Sequence, residues 1–275
     1  MPELPEVERV RRSLESRIVG CTVDRVRILR RDVIATPRDP AGGFARNRSD
    51  RAAARGAKPS RLTSSAMLGG ATIDRLDRRG KRLAIIAADG RALDVHLGMT
   101  GAVMMLGPDE PLPDHTHILW TLGTSRGSHR ASHRMVFRDP RRFGGVWTCA
   151  SVEDLISRRW ATLGPDALTI TAAELGARLA GSHRAIKAAL LDQSVLAGVG
   201  NIYTDEALFR ARIHPEADSS ALSAPAIEQL AEAIRGILIS AVAAGGSMSA
   251  SALSITTAGA RTGAAAGTSL ATGTS

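Results

Sequence analysis

The strongest constraint on the fold is a change of hydrophobic period partway along the chain. Before about residue 148 the apolar residues come in short, turn-punctuated runs, and from about Ser151 they recur at helical spacing. A period of two commits a segment to a strand, and a period near 3.6 commits it to an amphipathic helix. The clearest strand pair is Arg82–Ala88 against Arg91–Leu97, joined at Asp89-Gly90, a dipeptide suited to a tight hairpin turn. Val23, Val26 and Ile28 begin another strand pattern, and Gly101–Leu106, His117–Leu122 and Arg134–Phe137 read as further strands. Several short strands with turn punctuation predict a sandwich or a partly closed barrel.

One helix precedes the strands. From Pro5 onward Val7, Val10, Leu14 and Ile18 form a single apolar stripe, with Arg9, Arg11, Arg12 and Arg17 largely off it and Gly20 as the stop. In the second half the predicted helices are Asp154–Trp160, Ala172–Leu179 behind Thr171 as a cap, Ala185–Leu191, Ile202–Arg210 and Ala226–Ala243. The last aligns Ile227, Leu230, Ile234, Ile237 and Val242 and stops at Gly245-Gly246. The expected class is therefore α+β, with a strand-rich unit over 1–150 and a helical unit over 151–246.

The 275 residues suffice for one large domain or two small ones, and a formal net charge of +9 favours a polyanionic partner, nucleic acid before membrane. No apolar run approaches the roughly 20 residues of a membrane span. Glutamates stand where a signal peptide would place its charged and apolar regions, so the expected location is cytoplasmic or nucleoid-associated. Cys21 and Cys149 are the only cysteines and lack CxxC spacing, so neither a disulfide framework nor a metal site is expected. The stretches 36–65 and 124–132, the latter with Arg126, His129 and Arg130, read as basic loops, either solvated insertions or weak phosphate binders.

The start Met-Pro-Glu-Leu-Pro-Glu-Val-Glu allows two readings. In one it opens a helix: Pro5 suits the first turn, and Glu6 and Glu8 suit the positive dipole end. In the other, loss of Met1 exposes Pro2 as a secondary amine beside Glu3. Such an amine forms an iminium with an aldehyde, a fixed positive charge that acts as an electron sink, while a neighbouring carboxylate moves protons. Gly198-Val199-Gly200-Asn201 is likewise either a tight interhelical turn or a turn whose backbone N–H groups bind phosphate.

Taken together, the octapeptide, Gly80-Lys81, His96-Leu97-Gly98-Met99-Thr100-Gly101, Asp139-Pro140-Arg141-Arg142-Phe143-Gly144 and Gly198-Val199-Gly200-Asn201-Ile202-Tyr203 resemble the formamidopyrimidine-DNA glycosylase family in their order. The resemblance runs from Met1 to about Gly246 and favours the purine-directed branch, whose start carries leucine where the pyrimidine-directed branch has glycine. It implies an N-terminal β-sandwich with flanking helices, then a helix-two-turn-helix domain, acting as a monomer on damaged double-stranded DNA. Pro2 would be the nucleophile, Glu3 the proton carrier, Glu6 a second glutamate near the nucleophile, and Lys81 an electrostatic partner for the damaged base and its phosphate. Met99, Arg141 and Phe143 would fill the hole left by a flipped base, although by residue type alone Met99 and Phe143 are ordinary core residues. Arg142, Asn201 and Tyr203 match phosphate-contacting positions, and Lys187 matches a lysine near the lesion. His96 and His117 would be structural or phosphate-facing.

The pattern breaks at Ser247. The resemblance implies a zinc finger with two CxxC pairs and a phosphate-gripping arginine, yet no cysteine follows Cys149 and the segment 247–275 is mostly Ser, Thr, Ala and Gly. Three readings stand: a zincless finger carrying Arg261, a disordered tail too poor in apolar groups to offset its ordering entropy, or a shifted reading frame. The expected activity is a bifunctional glycosylase and AP lyase without a metal cofactor. Its alternative, given the missing finger, is a lyase alone or a non-catalytic binder of damaged DNA.

Overall fold

The structure, a computed structural model, describes residues 2–35, 63–123 and 133–245. Met1, nearly all of the expected 36–65 insertion, the 124–132 loop and the 247–275 tail with Arg261 lie outside the described residues. Helix α1 (Leu4–Ile18) carries Pro5 and Glu6 in its first turn. Its stripe divides between two cores. Val7, Leu14 and Ile18 are buried among the strands, whereas Leu4 is buried among the C-terminal helices. Gly20 then takes φ +82° and hydrogen-bonds through its N–H to the Ile73 carbonyl at 2.8 Å, which turns the chain into the sheets.

Among the described residues nine strands follow: β1 (Thr22–Ile28), β2 (Ile34–Ala35), β3 (Ile73–Arg79), β4 (Arg82–Ala87), β5 (Ala92–His96), β6 (Ala102–Leu106), β7 (Thr116–Gly123), β8 (His133–Arg138) and β9 (Gly145–Cys149). They form an antiparallel sheet in the order β1-β7-β8-β6 and a five-stranded sheet in the order β2-β9-β5-β4-β3, in which only β2 and β9 are parallel. Ile85, Leu93 and Val95 from one sheet meet Ile118, Trp120 and Phe137 from the other in a shared core. The buried Trp120 indole donates to the Met67 carbonyl at 3.0 Å, so its polar atom is satisfied.

The Asp89-Gly90 hairpin forms as the sequence predicts, with Gly90 at φ +88° and Arg82 paired to His96. Strand β3 had no strand signal. A register shift between Ile73 and Arg75 brings Ile73 and Leu76 to the same buried side, three residues apart, so alternation is lost from the sequence.

The predicted helix 154–160 differs in form and in allegiance. It is a short helix α2 (Val152–Leu155) followed by a π turn (Ile156–Trp160), and Val152, Leu155 and Trp160 pack on Ala84, Ile86, Ala92 and Cys149, the outer face of the five-stranded sheet. This segment therefore packs with the strands, not with the helical unit expected from residue 151. The wider π turn lets the successive residues Arg159 and Trp160 both reach the fully buried Asp94, at 3.1 and 3.4 Å, where Arg82 also binds at 2.8 Å.

The remaining helices are α3 (Ala172–Leu179), α4 (Ile186–Leu191), α5 (Asn201–Ala211) and α6 (Ala224–Ala244). Thr171 caps α3 reciprocally with Glu174, and Gly245 ends α6 at φ +86°. Leu175, Leu190, Leu208, Leu230 and Ile234 fill their common core around Leu4. Among the described residues no helix is long and apolar enough to cross a membrane.

A charged junction ties the two cores together. Arg78 of β3 reaches Glu8 of α1 at 3.0 Å and Asp166, ahead of α3, at 2.6 Å, and the Gly80 N–H adds a bond to Asp166 at 2.7 Å. Glu8 also receives Arg11 and Arg12. Burial pushes its carboxyl up, but the three arginines outweigh burial and hold it at about 2, below the ordinary 4.5. A carboxyl depressed on folding stabilises above its unfolded value, and that stability is lost as pH falls from 4.5 toward about 2. The depression corresponds to about 3 kcal/mol. Glu8→Gln should lower unfolding free energy at pH 7 by a similar amount and flatten the acid decline seen in urea titrations. An unchanged acid slope would show that Glu8 is not the group responsible.

Candidate active site

The first residues of the chain are not a free end. Pro2 is buried, Glu3 is 3 % exposed, and the Leu4 N–H donates to the Gly198 carbonyl at 3.0 Å. The Glu3 carboxylate spans the start of α5, accepting the Gly200 N–H at 2.5 Å on one oxygen and the Ile202 N–H at 3.0 Å on the other. These are donors that a helix start leaves without intrahelical partners. Glu3 thus caps a helix nearly two hundred residues away in sequence. Its own N–H is held by Glu6 Oε2 at 2.8 Å, and the other Glu6 oxygen receives the Tyr203 hydroxyl at 2.9 Å.

The glycines of the turn follow from this closeness. Gly198 sits at φ +126°, and a Cβ there would come within 2.5 Å of Leu4. Gln193 braces the same turn through the Val199 carbonyl and the Gly198 N–H, both at 3.0 Å. A Cβ on Gly200 would stand 2.6 Å from the Glu3 carboxylate and 2.9 Å from the Lys81 ammonium, so Glu3, Gly200 and Lys81 meet at one point. Lys81 is 7 % exposed. Burial lowers its pKa, partly offset by the attraction of Glu3 and Glu6. His96, beside it, is brought down to about 4 by burial and by Arg82, so it is neutral at pH 7. The structure therefore gathers Pro2, Glu3, Glu6 and Lys81, a secondary-amine precursor with two carboxylates and an ammonium.

A second group of predicted residues lies on two exposed turns. Met99 and Phe143 are 41 % and 46 % exposed, and the Arg141 guanidinium lies 4.7 Å over the Phe143 ring. Neither apolar side chain is in the core. The buried Asp139 builds their turn, accepting the Thr100 hydroxyl at 2.5 Å, the Gly144 N–H at 2.7 Å and the Arg141 N–H at 3.3 Å. Gly98, at φ +62°, lets the two turns touch, because a Cβ there would lie 2.4 Å from the Gly144 nitrogen. His117 supports this unit from beneath: it is 4 % exposed and its Nε2 bonds the Asp139 carbonyl at 2.8 Å.

The remaining candidates divide. Asn201 is exposed at the start of α5, and Lys187 is half-buried with its ammonium 2.7 Å from Asp205. Arg142, at φ +56°, pairs with Asp32 at 2.9 Å. The Tyr203 side chain is buried with its hydroxyl on Glu6 and does not face outward to phosphate, whereas His117 takes the structural one of its two expected readings, buried against the Asp139 carbonyl. Sequence reasoning missed Asp139, Gln193, Arg78 and Asp32. Asp139 alone had a signal, its place at the head of a motif otherwise read for its arginines.

Zinc is implied by the resemblance, but the thiols do not fit it. Cys149 is buried in β9 and pushed up to about 12 by burial, with Asp94 and Asp154 adding to the shift, whereas a zinc ligand must be a thiolate. Cys21 is raised in the same direction by burial. Among the described residues no group of three or more His, Cys, Asp or Glu could hold a metal ion.

Comparison with known proteins places this geometry. The formamidopyrimidine-DNA glycosylase N-terminal domain model matches residues 1–146, and the formamidopyrimidine-DNA glycosylase H2TH domain model matches residues 163–252. The formamidopyrimidine-DNA glycosylase of Symbiobacterium thermophilum is 40% identical over 244 residues, covering 88% of this chain and 70% of that protein. Its namesake from Geobacillus kaustophilus is 39% identical over 249 residues, covering 90% and 80%. Among solved structures, Lactococcus lactis formamidopyrimidine-DNA glycosylase bound non-covalently to DNA containing an AP site superposes with a TM-score of 0.71 at 30% identity, over 90% of this chain and 84% of that one. MutM in complex with DNA containing carbocyclic 8-oxo-G gives a TM-score of 0.71 at 30% identity, over 90% and 81%.

The two turn glycines should respond differently to alanine. Gly198→Ala meets Leu4 at a positive φ and should destabilise by about 2 kcal/mol or more. Gly200→Ala meets no positive-φ strain but pushes the buried Glu3 carboxylate off its two amides, so it should cost about 1–3 kcal/mol and speed hydrogen exchange at the Ile202 amide. Full Ile202 protection in Gly200→Ala would show that Glu3 does not hold that amide.

Proposed function

The chain belongs to the formamidopyrimidine-DNA glycosylase family, and on that premise we propose that it is a bifunctional DNA glycosylase and AP lyase. It excises oxidised purines, 8-oxoguanine and formamidopyrimidines, from double-stranded DNA in base excision repair. The observation that carries the reading is the Glu3 carboxylate fixed on the Gly200 and Ile202 amides, directly after buried Pro2 and against Lys81.

With Met1 removed, the Pro2 nitrogen attacks C1′ of the damaged nucleotide, the bond from C1′ to the base breaks, and the electron pair leaves with the base. The proton shed by the nitrogen passes through Glu3 to the sugar ring oxygen, the ring opens, and an iminium remains. Glu3 then assists removal of a proton from C2′; the iminium takes up the C–H electron pair as an enamine, which returns it to form the C2′–C3′ double bond as the 3′ phosphate leaves with the C3′–O pair by β-elimination. A δ-elimination expels the 5′ phosphate. Because its carboxylate is held at both oxygens, Glu3 stays in register through these transfers, which is where positioning lowers a barrier. Lys81 supplies positive charge toward the departing base and its phosphate.

A base within a duplex is unreachable, and unstacking it costs a few kcal/mol. Met99 and Phe143 offset part of that cost by stacking in the void, and Arg141 hydrogen-bonds the orphaned cytosine. Arg142, Asn201 and Lys187 contact phosphates, which positions the enzyme without reading sequence. Tyr203 and His117 act indirectly, the first by holding Glu6 and the second by supporting the Asp139 turn. The enzyme works as a monomer.

Borohydride trapping of the untagged protein on duplexes carrying 8-oxoguanine opposite cytosine, or an abasic site, tests the proposal. A covalent adduct is expected on both, and an uncleaved N-terminal tag should reduce both to background. Trapping on the abasic duplex alone would remove the glycosylase half of the reading. Undiminished trapping with a blocked N-terminus would remove Pro2 from the mechanism.

A further inference from the structure

The segment between β1 and β2 carries a charged cluster beside the Arg141–Phe143 turn in which the mechanism uses Arg142 but neither Arg30 nor Asp32. Asp32 accepts Arg30 Nε on Oδ1 at 3.0 Å and Arg142 Nη1 on Oδ2 at 2.9 Å, so one carboxylate bridges two guanidiniums. The backbone around them is firmly tied. The Leu29 and Arg30 N–H groups both donate to the His117 carbonyl, at 2.8 and 3.1 Å, and the Val146 N–H donates to the Val33 carbonyl at 2.9 Å. His117 is the residue whose ring also holds the Asp139 carbonyl, so a single strut sets Arg30 on one side and the Arg141–Phe143 turn on the other. Arg142 accepts a left-handed backbone, φ +56°, a conformation costly for a side-chain-bearing residue, and so faces Asp32.

Each guanidinium has five N–H donors. Among the described residues Asp32 takes one from each, and no other protein acceptor takes the rest. The Arg30 side chain is 53% exposed and that of Arg142 37%. Two guanidiniums against one carboxylate leave a net positive charge, with free donors oriented by the bond behind them. That arrangement suits a dianionic or monoanionic oxygen ligand bridging both forks. Asp32 itself stays ionised at neutral pH, because Arg142 and Arg30 outweigh the effect of its burial.

We propose that Arg30 is a DNA-backbone contact, forming with Arg142 a two-guanidinium clamp on one phosphodiester next to the exposed Met99, Arg141 and Phe143. This inference rests on the reading of those turns as the DNA-facing surface. Asp32 is the positioning residue that keeps the clamp assembled before DNA arrives.

The test is the salt dependence of binding to damaged and undamaged duplexes, measured on the full chain. Losing one phosphate contact lowers the slope of log affinity against log salt by about 0.9. Arg30→Gln leaves Arg142 on the same phosphate, so it should lower the slope by less than that while weakening both duplexes several-fold and equally; Arg30→Gln with Arg142→Gln should lower it by the full amount, and Arg30→Lys, which keeps the charge, should retain most of the slope. Arg75, another exposed arginine paired with aspartates, provides a charge-matched control, and Arg75→Gln should leave the slope unchanged. A wild-type slope in Arg30→Gln, or an equal drop in Arg75→Gln, would overturn the clamp. Failure of the wild-type protein to bind duplex DNA in a salt-dependent way would instead overturn the underlying reading of the surface.

Discussion

The carboxylate of Glu3, held by two backbone amides at the start of α5, is the interaction on which the rest of the structure depends. It joins the beginning of the chain to a turn near residue 200 and decides where Pro2 rests. Around that bond the other requirements fall into place. Gly198 and Gly200 must lack side chains because the N-terminal segment lies against them, and Leu4 must be apolar because it enters the core of the C-terminal helices. Glu8, one turn further along α1, meets Arg78 and through it Asp166, so the same helix carries the ion-pair junction between the cores. Removing one partner from such a buried junction leaves the others uncompensated, so the ion pairs that fix the two cores relative to each other are also costly to break.

A second organising centre, around Asp139 and His117, works by the same logic with the opposite result. The first buries the N-terminal segment; the second exposes side chains that would ordinarily be hidden. Asp139 consumes the polar groups of its own turn and of Thr100, and Gly98 and Gly144 allow two turns to touch. Met99 and Phe143 are therefore held out to solvent by rigid backbone. An exposed methionine and phenylalanine beside arginines on tied-down turns suit an occupant that is both anionic and stacked, as nucleic acid is.

Much of the architecture was legible in the sequence, for identifiable reasons. The Asp89-Gly90 hairpin, the Thr171 cap and the glycine after α6 are local signals, and each forms where the pattern places it. Strand β3 was hidden because a bulge moves Ile73 and Leu76 out of alternation. The segment 152–160 reads as helical, yet its partners are strands, a fact that spacing along one segment cannot carry. The motifs located Pro2, Glu3 and Lys81, and the structure brings them together. They misled about Tyr203, because a tyrosine beside an exposed asparagine gives no sign that its hydroxyl turns inward to Glu6. Asp32 and Arg78 had no signal, since their partners lie 110 and 88 residues away.

In the proposed mechanism the N-terminal segment held by Glu3 supplies the reacting nitrogen. The most direct measurement is to digest the borohydride-reduced protein–DNA adduct with trypsin and locate the sugar remnant by mass spectrometry. The remnant should sit on the nitrogen of Pro2, within the peptide ending at Arg9. A remnant on a lysine, Lys81 above all, would contradict that mechanism and make the hold of Glu3 a structural feature alone.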